Sequence, residues 1–300
     1  MNTPDSLHTI LDYIRWGASS FNKAGLFFGH GTDNAIDESI TLVLHALHLP
    51  LDLDANYFAS RITTEEQETI VKLLQHRIIK RQPAAYLTQR AWFAGLEFYV
   101  DQRVLVPRSP IAELITEGFA PWLDASNIHR VLDIGTGSGC IGIAIAMHFP
   151  NTNVDLIDIS EDALAVARHN VAAFNLEERV QIYHSDLFQK LPTQRYDLII
   201  ANPPYVSTTE LATLPVEYQR EPCLGLAGGD DGLEIVRRIL HEAATYLEPD
   251  GMLVVEVGTN TTALEQAYPQ LPFLWLEFAR GGTGVFMLSA KQLQDVQNIL

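Results

Sequence analysis

The Asn-Pro-Pro-Tyr segment, Asn202 to Tyr205, combines residue types that could hold a planar amino group of a substrate. A nitrogen conjugated to a carbonyl or a ring is almost non-nucleophilic, because its lone pair is delocalised. The side-chain carbonyl of Asn202 and the backbone carbonyl of Pro203 could each accept one N–H and so aim that lone pair at an electrophile. Pro203 and Pro204 fix two φ angles, and Tyr205 could stack on the planar group and favour a growing positive charge. Such chemistry depends on positioning and fixed dipoles rather than on a strong base.

A glycine-rich stretch upstream, "LDIGTGSGC", indicates what the electrophile is. It holds an acid, Asp133, followed by the glycine loop: Gly135, Thr136, Gly137, Ser138 and Gly139. Alternate glycines let a backbone turn tightly and approach a ligand. Counted from Gly135, the dinucleotide fingerprint G-x-G-x-x-G/A is not met, because Cys140 stands at its third glycine position, and Asp133 would repel a pyrophosphate. S-adenosylmethionine has a sulfonium, an α-amino group and a ribose diol but no phosphate, so we expect the loop to bind this cofactor.

Two further acids follow the next two predicted strands. Asp158 lies about 20 residues beyond the glycine loop, where nucleotide-type sites place a ribose-binding carboxylate. Asp186, in "HSDLF", could accept from the adenine amino group, with Leu187 and Phe188 packing beside the ring. An ordinary solvated aspartate at a strand end is the alternative for Asp186.

The elements that must position these residues alternate between strands and helices. Apolar strands are readable at "HRVLDI", "NVDLID", "RVQIYH", "YDLIIA" and "GMLVVEVG", with helical segments such as "CIGIAIAMHF" and "EDALAVARHNVAAF" between them. This order predicts an α/β fold with a mostly parallel sheet covered on both faces. The last strands, "FLWLEF" and "GVFMLS", are too close for a helical crossover and should be antiparallel neighbours. We therefore expect a seven-stranded, Rossmann-like sheet with a C-terminal antiparallel hairpin and a site at the carboxyl ends of its strands.

The N-terminal part predicts a separate helical domain. Leu7, Ile10, Leu11 and Ile14 recur at helical spacing. Asn34 is a predicted N-cap, and Thr63 with Glu66 forms a predicted capping box for a helix that ends near Gln82. The stretch "AWFAGLEFYVDQRVLVPRSP" then predicts a β-hairpin that turns at Asp101–Gln102. The expected organisation is a helical domain at 1–82, a hairpin connector at 83–109 and a catalytic domain at 110–300.

Bulk composition narrows the partners. The formal net charge of −17 opposes binding to a phosphate backbone and favours encounter with basic proteins. No apolar run is long enough to span a bilayer, and the N-terminus lacks the basic flank of a signal peptide. Cys140 and Cys223 are expected to be reduced thiols, since no secretory signal is present and no cluster has metal-ligand spacing. We expect a cytoplasmic protein with no metal site and no membrane partner.

Taken together, the motifs resemble those of the glutamine N5-methyltransferases of the translation apparatus. The matching segments span nearly the whole chain: "VLDIGTGSGCIGIA", "DISEDALAVA", "NPPYV", "EPCLGLAGGDDGLEIVRRIL" and "LVVEVG". The resemblance implies a class I S-adenosylmethionine-dependent methyltransferase fold and conversion of a protein glutamine to N5-methylglutamine. It also implies that the N-terminal domain helps to recognise the protein substrate.

Two branches of that family act on peptide-chain release factors and on a large-subunit ribosomal protein, L3. The release-factor branch carries a "PRPETE"-like segment, where this chain has "PRSPIAELI". That departure leaves the roles of Arg108 and Ser109 open, and "FGHGTDN" with "WFAGLEFYVD" is similar to the ribosomal-protein branch. The acidic charge agrees with a basic ribosomal protein, free or in an assembly intermediate. The rival readings are a nucleic-acid amino-methyltransferase, a non-catalytic cofactor binder and a nicotinamide dehydrogenase.

Overall fold

The computed structural model describes residues 6–295, and these form two compact units. Unit 1 comprises residues 1–91 together with residues 215–221, and unit 2 comprises residues 92–214 and 222–300. The expected domains 1–82 and 110–300 include residues 1–5 and 296–300, which lie outside the described residues. The chain thus leaves unit 2 for seven residues, 215–221, and then returns to it.

Unit 1 is built from helices. They are α1 (Ile10–Lys23), α2 (Ala35–Ala46), α3 (Thr64–Lys80) and α4 (Ala84–Thr88), with one-turn 3₁₀ segments at Ala55–Ala59 and Tyr218–Arg220. Their apolar faces close one core that includes Tyr13, Phe21, Leu42, Ile70 and Leu74. Leu11, which shares the apolar spacing of α1, is instead exposed.

The predicted helix starts are confirmed. The Asn34 side chain accepts from the backbone N–H groups of Ile36 and Asp37, and Thr63 and Glu66 exchange both hydrogen bonds of a capping box. Each cap satisfies N–H groups that the first helical turn leaves without a partner. Helix α3 ends at Lys80, two residues earlier than expected, because Arg81 adopts a left-handed conformation with φ of 56°.

The hairpin is confirmed, but its two strands are not joined at Asp101–Gln102, as the sequence predicted. Strands β1 (Arg90–Phe93) and β2 (Leu96–Tyr99) are joined by Ala94 and Gly95, both at positive φ. Two successive positive φ angles make the two-residue turn that matches the twist of a hairpin. The chain does turn at Asp101–Gln102, where the Val104 N–H donates to the Asp101 carbonyl at 3.2 Å, but this turn follows β2. The Asp101 side chain accepts hydrogen bonds from the Tyr99 hydroxyl and the Arg103 guanidinium.

Unit 2 contains the predicted sheet, which has seven strands among the described residues. They are β3 (Arg130–Ile134), β4 (Asn153–Asp158), β5 (Val180–His184), β6 (Tyr196–Ala201), β7 (Leu247–Glu256), β8 (Leu274–Trp275) and β9 (Val285–Ser289). The spatial order is β5-β4-β3-β6-β7-β9-β8. Strands β3 to β7 pair in parallel, and β9 runs antiparallel to both of its neighbours. The sheet switches direction of succession between β3 and β6, which is where an open α/β sheet forms a ligand crevice.

Helices cover both faces of this sheet. They are α5 (Ile111–Thr116), α6 (Cys140–His148), α7 (Glu161–Ala173), α8 (Thr208–Leu211), α9 (Glu234–Tyr246), α10 (Thr261–Ala267) and α11 (Ala290–Asp295). Successive residues of β3 belong to different cores, Val131 to one and Leu132 to the other, as the alternation of a strand requires. Cys140 is a buried thiol in the same core as Val131, and the thiol of Cys223 is exposed. None of the helices in residues 6–295 has the length and apolar character needed to cross a membrane.

Candidate active site

The glycine loop connects β3 to α6 at the carboxyl edge of the sheet. Gly135 and Gly137 have φ angles of 68° and 55°, and a Cβ built on either would meet no atom within 4 Å. The Gly137 N–H donates to Asp158 Oδ2 at 2.9 Å, and the Thr136 N–H donates to the carbonyl of Ile157 at 2.9 Å. The loop is therefore fixed to the end of β4 and leaves open space beside two positions that only glycine occupies without strain.

Asp133 lies buried under this loop with one carboxylate oxygen unsatisfied. Its Oδ2 accepts from the Thr136 hydroxyl at 2.6 Å and from the Gly142 N–H at 3.0 Å. Its Oδ1 is buried and has no hydrogen-bond partner among the described residues. Burial, opposed by these hydrogen bonds and reinforced by the negative charge of Asp158, raises the pKa of Asp133 to about 6.

Asp158 ends β4, and both of its carboxylate oxygens hold backbone. Oδ2 takes the Gly137 N–H, and Oδ1 accepts from the Ser160 N–H at 2.8 Å. Because a carboxylate offers about four acceptor positions, these bonds leave capacity for the two hydroxyls of a ribose. Burial raises the pKa of Asp158 above its ordinary value.

The remaining loop residues stabilise the loop from within. The Thr136 hydroxyl is engaged by Asp133, and the Ser138 carbonyl accepts from the Asn170 side chain at 2.9 Å. The same Asn170 amide donates to the carbonyl of Tyr99 at 3.0 Å, so α7 joins the glycine loop to strand β2. Sequence analysis missed Asn170, whose position within an amphipathic helix carries no signal of this role.

At the end of β5 the structure places Asp186 in polar contacts of its own. Its Oδ1 pairs with Arg238 Nη2 at 2.9 Å, and its Oδ2 accepts from the Gln189 amide at 3.2 Å. Leu187 follows it at a positive φ of 50° and is buried. Phe188 is buried in the core, where its ring stacks on that of Tyr246 with centroids 4.6 Å apart. An adenine contact by Asp186 would share its carboxylate with Arg238, which sequence analysis did not anticipate.

Strand pairing brings the Asn-Pro-Pro-Tyr segment to the glycine loop. Strands β3 and β6 are parallel neighbours, with Ile134 opposite Ala201, so Gly135 and Asn202 leave the sheet side by side. Asn202 is half-buried, and no hydrogen bond within residues 6–295 engages its carboxamide. A free carboxamide beside the glycine loop is the arrangement that substrate binding by Asn202 would require.

Glycines that sequence analysis did not single out enclose the segment. A Cβ at Gly228 would lie 2.7 Å from Tyr205 Cα, and one at Gly258 would lie 2.6 Å from the Tyr205 ring. The Tyr205 carbonyl accepts from the Asn260 side chain at 2.6 Å. These close backbone approaches give a physical reason for the glycines in "LAGGDDG" and "VEVG".

A buried carboxylate also contacts Tyr205. The Tyr205 hydroxyl donates to Glu256 Oε1 at 3.1 Å, and the Ser109 hydroxyl donates to Glu256 Oε2 at 2.5 Å. Burial raises the pKa of Glu256, although Ser109, Tyr205 and the charge of Arg108 oppose the shift. Neither Glu256 nor Ser109 was among the predicted site residues.

The residues present fit S-adenosylmethionine. The unsatisfied Oδ1 of Asp133 is an acceptor for a cationic group, and the open space beside Gly135 and Gly137 lets a ligand lie directly against the backbone. A phosphate-bearing cofactor would instead meet the carboxylates of Asp133 and Asp158.

Comparisons with known proteins agree with this geometry. The family model described as "Methyltransferase small domain" matches residues 115–216. Three curated relatives, each named "Ribosomal protein uL3 glutamine methyltransferase", match 96% of this chain. The relative from Xanthomonas campestris is 51% identical over 94% of its length, that from Neisseria gonorrhoeae 49% over 96%, and that from Francisella tularensis 48% over 92%. With half of its residues shared along almost the entire length of these relatives, the chain belongs to the family of ribosomal protein uL3 glutamine methyltransferases.

Proposed function

We propose that this enzyme methylates the side-chain amide nitrogen, N5, of a glutamine in the large-subunit ribosomal protein uL3, the protein called L3 above. The observation that carries the proposal is the free carboxamide of Asn202, which leaves the sheet next to the glycine loop. The names of the three relatives support the same substrate.

The cofactor of this methyltransferase is S-adenosylmethionine, which when bound supplies an electrophilic methyl group on a sulfonium. The backbone of the glycine loop would lie against it, with Asp133 facing a cationic group and Asp158 accepting from the ribose hydroxyls. Leu187 and Asp186 would border the adenine. These roles follow from the positions of the residues at one edge of the sheet.

The Asn-Pro-Pro-Tyr segment would hold the acceptor. The Asn202 side-chain carbonyl and the Pro203 backbone carbonyl would each accept one N–H of the glutamine amide, which turns its lone pair out of conjugation. Pro203 and Pro204 keep that geometry rigid, and the Tyr205 ring would face the nitrogen as it gains positive charge. Pre-aligned acceptors are the main source of rate enhancement here, because they need not reorganise during the reaction.

Charge supports a basic protein substrate. Unit 2 contains 25 of the 37 acidic residues and 11 of the 20 basic ones, which gives it −14 of the net −17. An acidic catalytic unit attracts a basic protein and raises its encounter rate. The same charge disfavours nucleic acid, so we expect no direct DNA binding.

We also propose that unit 1 helps to recognise the protein substrate. It has its own core and supplies none of the residues of the cofactor loop, so its surface is available for another role. The three relatives come from bacteria, in which ribosomal proteins are made and assembled in the cytoplasm. The proposed function therefore implies a cytoplasmic enzyme.

The test uses labelled S-adenosylmethionine with purified uL3 and, in parallel, with peptide-chain release factors, followed by mass spectrometry of tryptic peptides. We expect one methylated glutamine in uL3 and none in the release factors. The Asn202→Ala variant should lower kcat by about 100- to 1,000-fold, the loss typical for one oriented dipole, with cofactor affinity unchanged in calorimetry. Preferential labelling of a release factor would overturn the substrate, and full turnover by Asn202→Ala would overturn the site.

A further inference from the structure

Glu256 is a buried carboxylate whose two oxygens are held by hydroxyl groups from different parts of unit 2. Tyr205 donates to Oε1 and Ser109 to Oε2. Ser109 is itself fixed at the start of α5, because its hydroxyl also accepts from the Ile111 N–H at 3.2 Å. The carboxylate is therefore held in place through Oε2, and its Oε1 accepts the hydrogen bond from the Tyr205 phenol.

Strand register places this carboxylate at the site rather than elsewhere in the core. Strands β6 and β7 are parallel neighbours with Ala201 opposite Val255. The next residues along the two strands are Asn202 and Glu256, so they emerge at the same edge of the sheet. Glu256 thus lies beside the residue that would bind the substrate amide.

The backbone of Tyr205 has separate anchors. Asn260 holds its carbonyl, and Gly228 and Gly258 allow close contact with its Cα and with the edge of its ring. These contacts fix where the backbone of the residue lies. The hydrogen bond from the Tyr205 hydroxyl to Glu256 adds an anchor at the far end of the ring.

A buried carboxylate is a costly way to hold a tyrosine. Desolvation disfavours its charged form, as its raised pKa reflects, and an apolar residue would pack at lower cost. Carboxylates in such positions are stable only when donors satisfy both oxygens, which Tyr205 and Ser109 do here. A role in ring orientation accounts for a feature that packing alone does not.

We propose that Glu256 is a positioning residue, which fixes the Tyr205 ring against the acceptor glutamine by accepting its hydroxyl, with Ser109 bracing the carboxylate. This inference rests on the proposed function, since it names a further residue of the same site. It predicts that the hydroxyl of Tyr205 matters for turnover even though the ring alone can stack.

The test is a double-mutant cycle with Glu256→Gln and Tyr205→Phe, measured as kcat and KM for uL3. Each single variant should lower kcat by about 10- to 100-fold, the range for a small misplacement of reacting groups, with KM little changed. The double variant should be no slower than the slower single variant, because both remove the same hydrogen bond. Ser109→Ala should show a smaller loss in kcat.

Tyr196→Phe is the matched control, because Tyr196 starts strand β6 and donates from its hydroxyl to another buried carboxylate, Asp155, at 2.8 Å. It should lose stability but keep wild-type kcat. A control as slow as Glu256→Gln, or multiplicative losses in the cycle, would overturn the proposal. If Glu256→Gln does not fold, Tyr205→Phe alone decides, and wild-type kcat in that variant overturns it. Failure of the wild-type enzyme to methylate uL3 would instead overturn the proposed function.

Discussion

Burial makes Asp133 a weaker acid than a carboxylate in water. Its pKa of about 6 follows from desolvation, which its bonds to Thr136 and Gly142 only partly offset. In the folded protein without ligand, the neutral form therefore dominates below about pH 6. A cationic ligand group would favour the ionised form and would lower this pKa again.

Cofactor affinity should therefore depend on pH. Below pH 6 the ligand must displace a proton from Asp133, so the affinity for S-adenosylmethionine should rise with pH and level off near pH 7. We expect binding at pH 5 to be about tenfold weaker than at pH 8, since roughly a tenth of a group with this pKa is ionised at pH 5. Isothermal titration across this range measures the effect.

Asp133→Asn is the control for that titration. It should bind the cofactor weakly and should lose most of the pH dependence, because the titrating carboxyl is gone. A wild-type dissociation constant that stays constant between pH 5 and 8 would contradict the role of Asp133.

Sequence patterns located the residues that follow strands, but not those that meet through pairing. Asp133, Asp158 and Asn202 could be found because each follows an apolar run, and parallel strands end at one edge. Glu256 and Ser109 could not be found, because they lie 147 positions apart and only the folded sheet brings them together. Arg238, which pairs with Asp186, escaped for the same reason.

Among the elements, the glycine loop allows a test that separates strain from ligand contact. Gly137 has a positive φ and open space where a Cβ would stand. Gly137→Ala should cost about 1–2 kcal/mol of unfolding free energy for the left-handed conformation. The added methyl would also occupy the space next to the cofactor, so we expect affinity for S-adenosylmethionine to fall at least tenfold, about 1.4 kcal/mol.

Gly95→Ala is its matched control, because Gly95 also has a positive φ and open space but lies in the β1–β2 turn. It should lose similar stability in chemical denaturation and keep wild-type cofactor affinity in calorimetry. Equal losses of cofactor affinity in the two variants would show that general destabilisation, and not contact between the glycine loop and the cofactor, weakens binding.

The hairpin shows why element boundaries are harder to predict than elements. Helix starts were predictable because Asn34 and Thr63 are side chains whose capping chemistry is local. The turn was not, because Ala94 carries no turn signal and adopts a positive φ of 49° only within the closed hairpin. The Asp101–Gln102 pair had the more typical composition, and the chain does turn there, but only after β2 has ended.

At the scale of the whole molecule, the chain is not divided as two consecutive domains. Residues 215–221 lie downstream of the Asn-Pro-Pro-Tyr segment in sequence and belong to unit 1. Within unit 1, Glu217 accepts from the Phe27 N–H and from Arg81, each at 3.1 Å. Burial opposes ionisation of Glu217, but these bonds outweigh it and lower its pKa. No sequence pattern predicted this arrangement, since it depends on contacts between distant segments.

Arg77 is the buried cation at the centre of unit 1. Its Nε donates to Glu38 Oε1 at 2.7 Å, its Nη2 donates to the Phe27 carbonyl at 3.0 Å, and its Nη1 lies 3.5 Å from Glu217 Oε1. Burial raises the pKa of Glu38 even with Arg77 beside it. Removing the cation would leave a buried carboxylate with no compensating charge, which is far costlier than losing a surface pair.

Arg77→Met should therefore lower the free energy of unfolding by about 3–5 kcal/mol at neutral pH. Lys72→Met, on the same helix, removes an exposed pair with Glu68 and should cost less than about 0.5 kcal/mol.

The stability deficit of Arg77→Met should shrink as the pH falls, because a carboxyl with a raised folded pKa destabilises the protein only where the unfolded chain has released its proton. Adding Glu38→Gln should restore part of the loss. Urea denaturation from pH 5 to 8 measures the cost of each substitution, its pH dependence and the rescue by Glu38→Gln. Amide exchange at residues 215–221 should accelerate in Arg77→Met but not in Lys72→Met. Equal costs for Arg77→Met and Lys72→Met, or a deficit independent of pH, would show that the buried ion pairs do not hold residues 215–221 in unit 1.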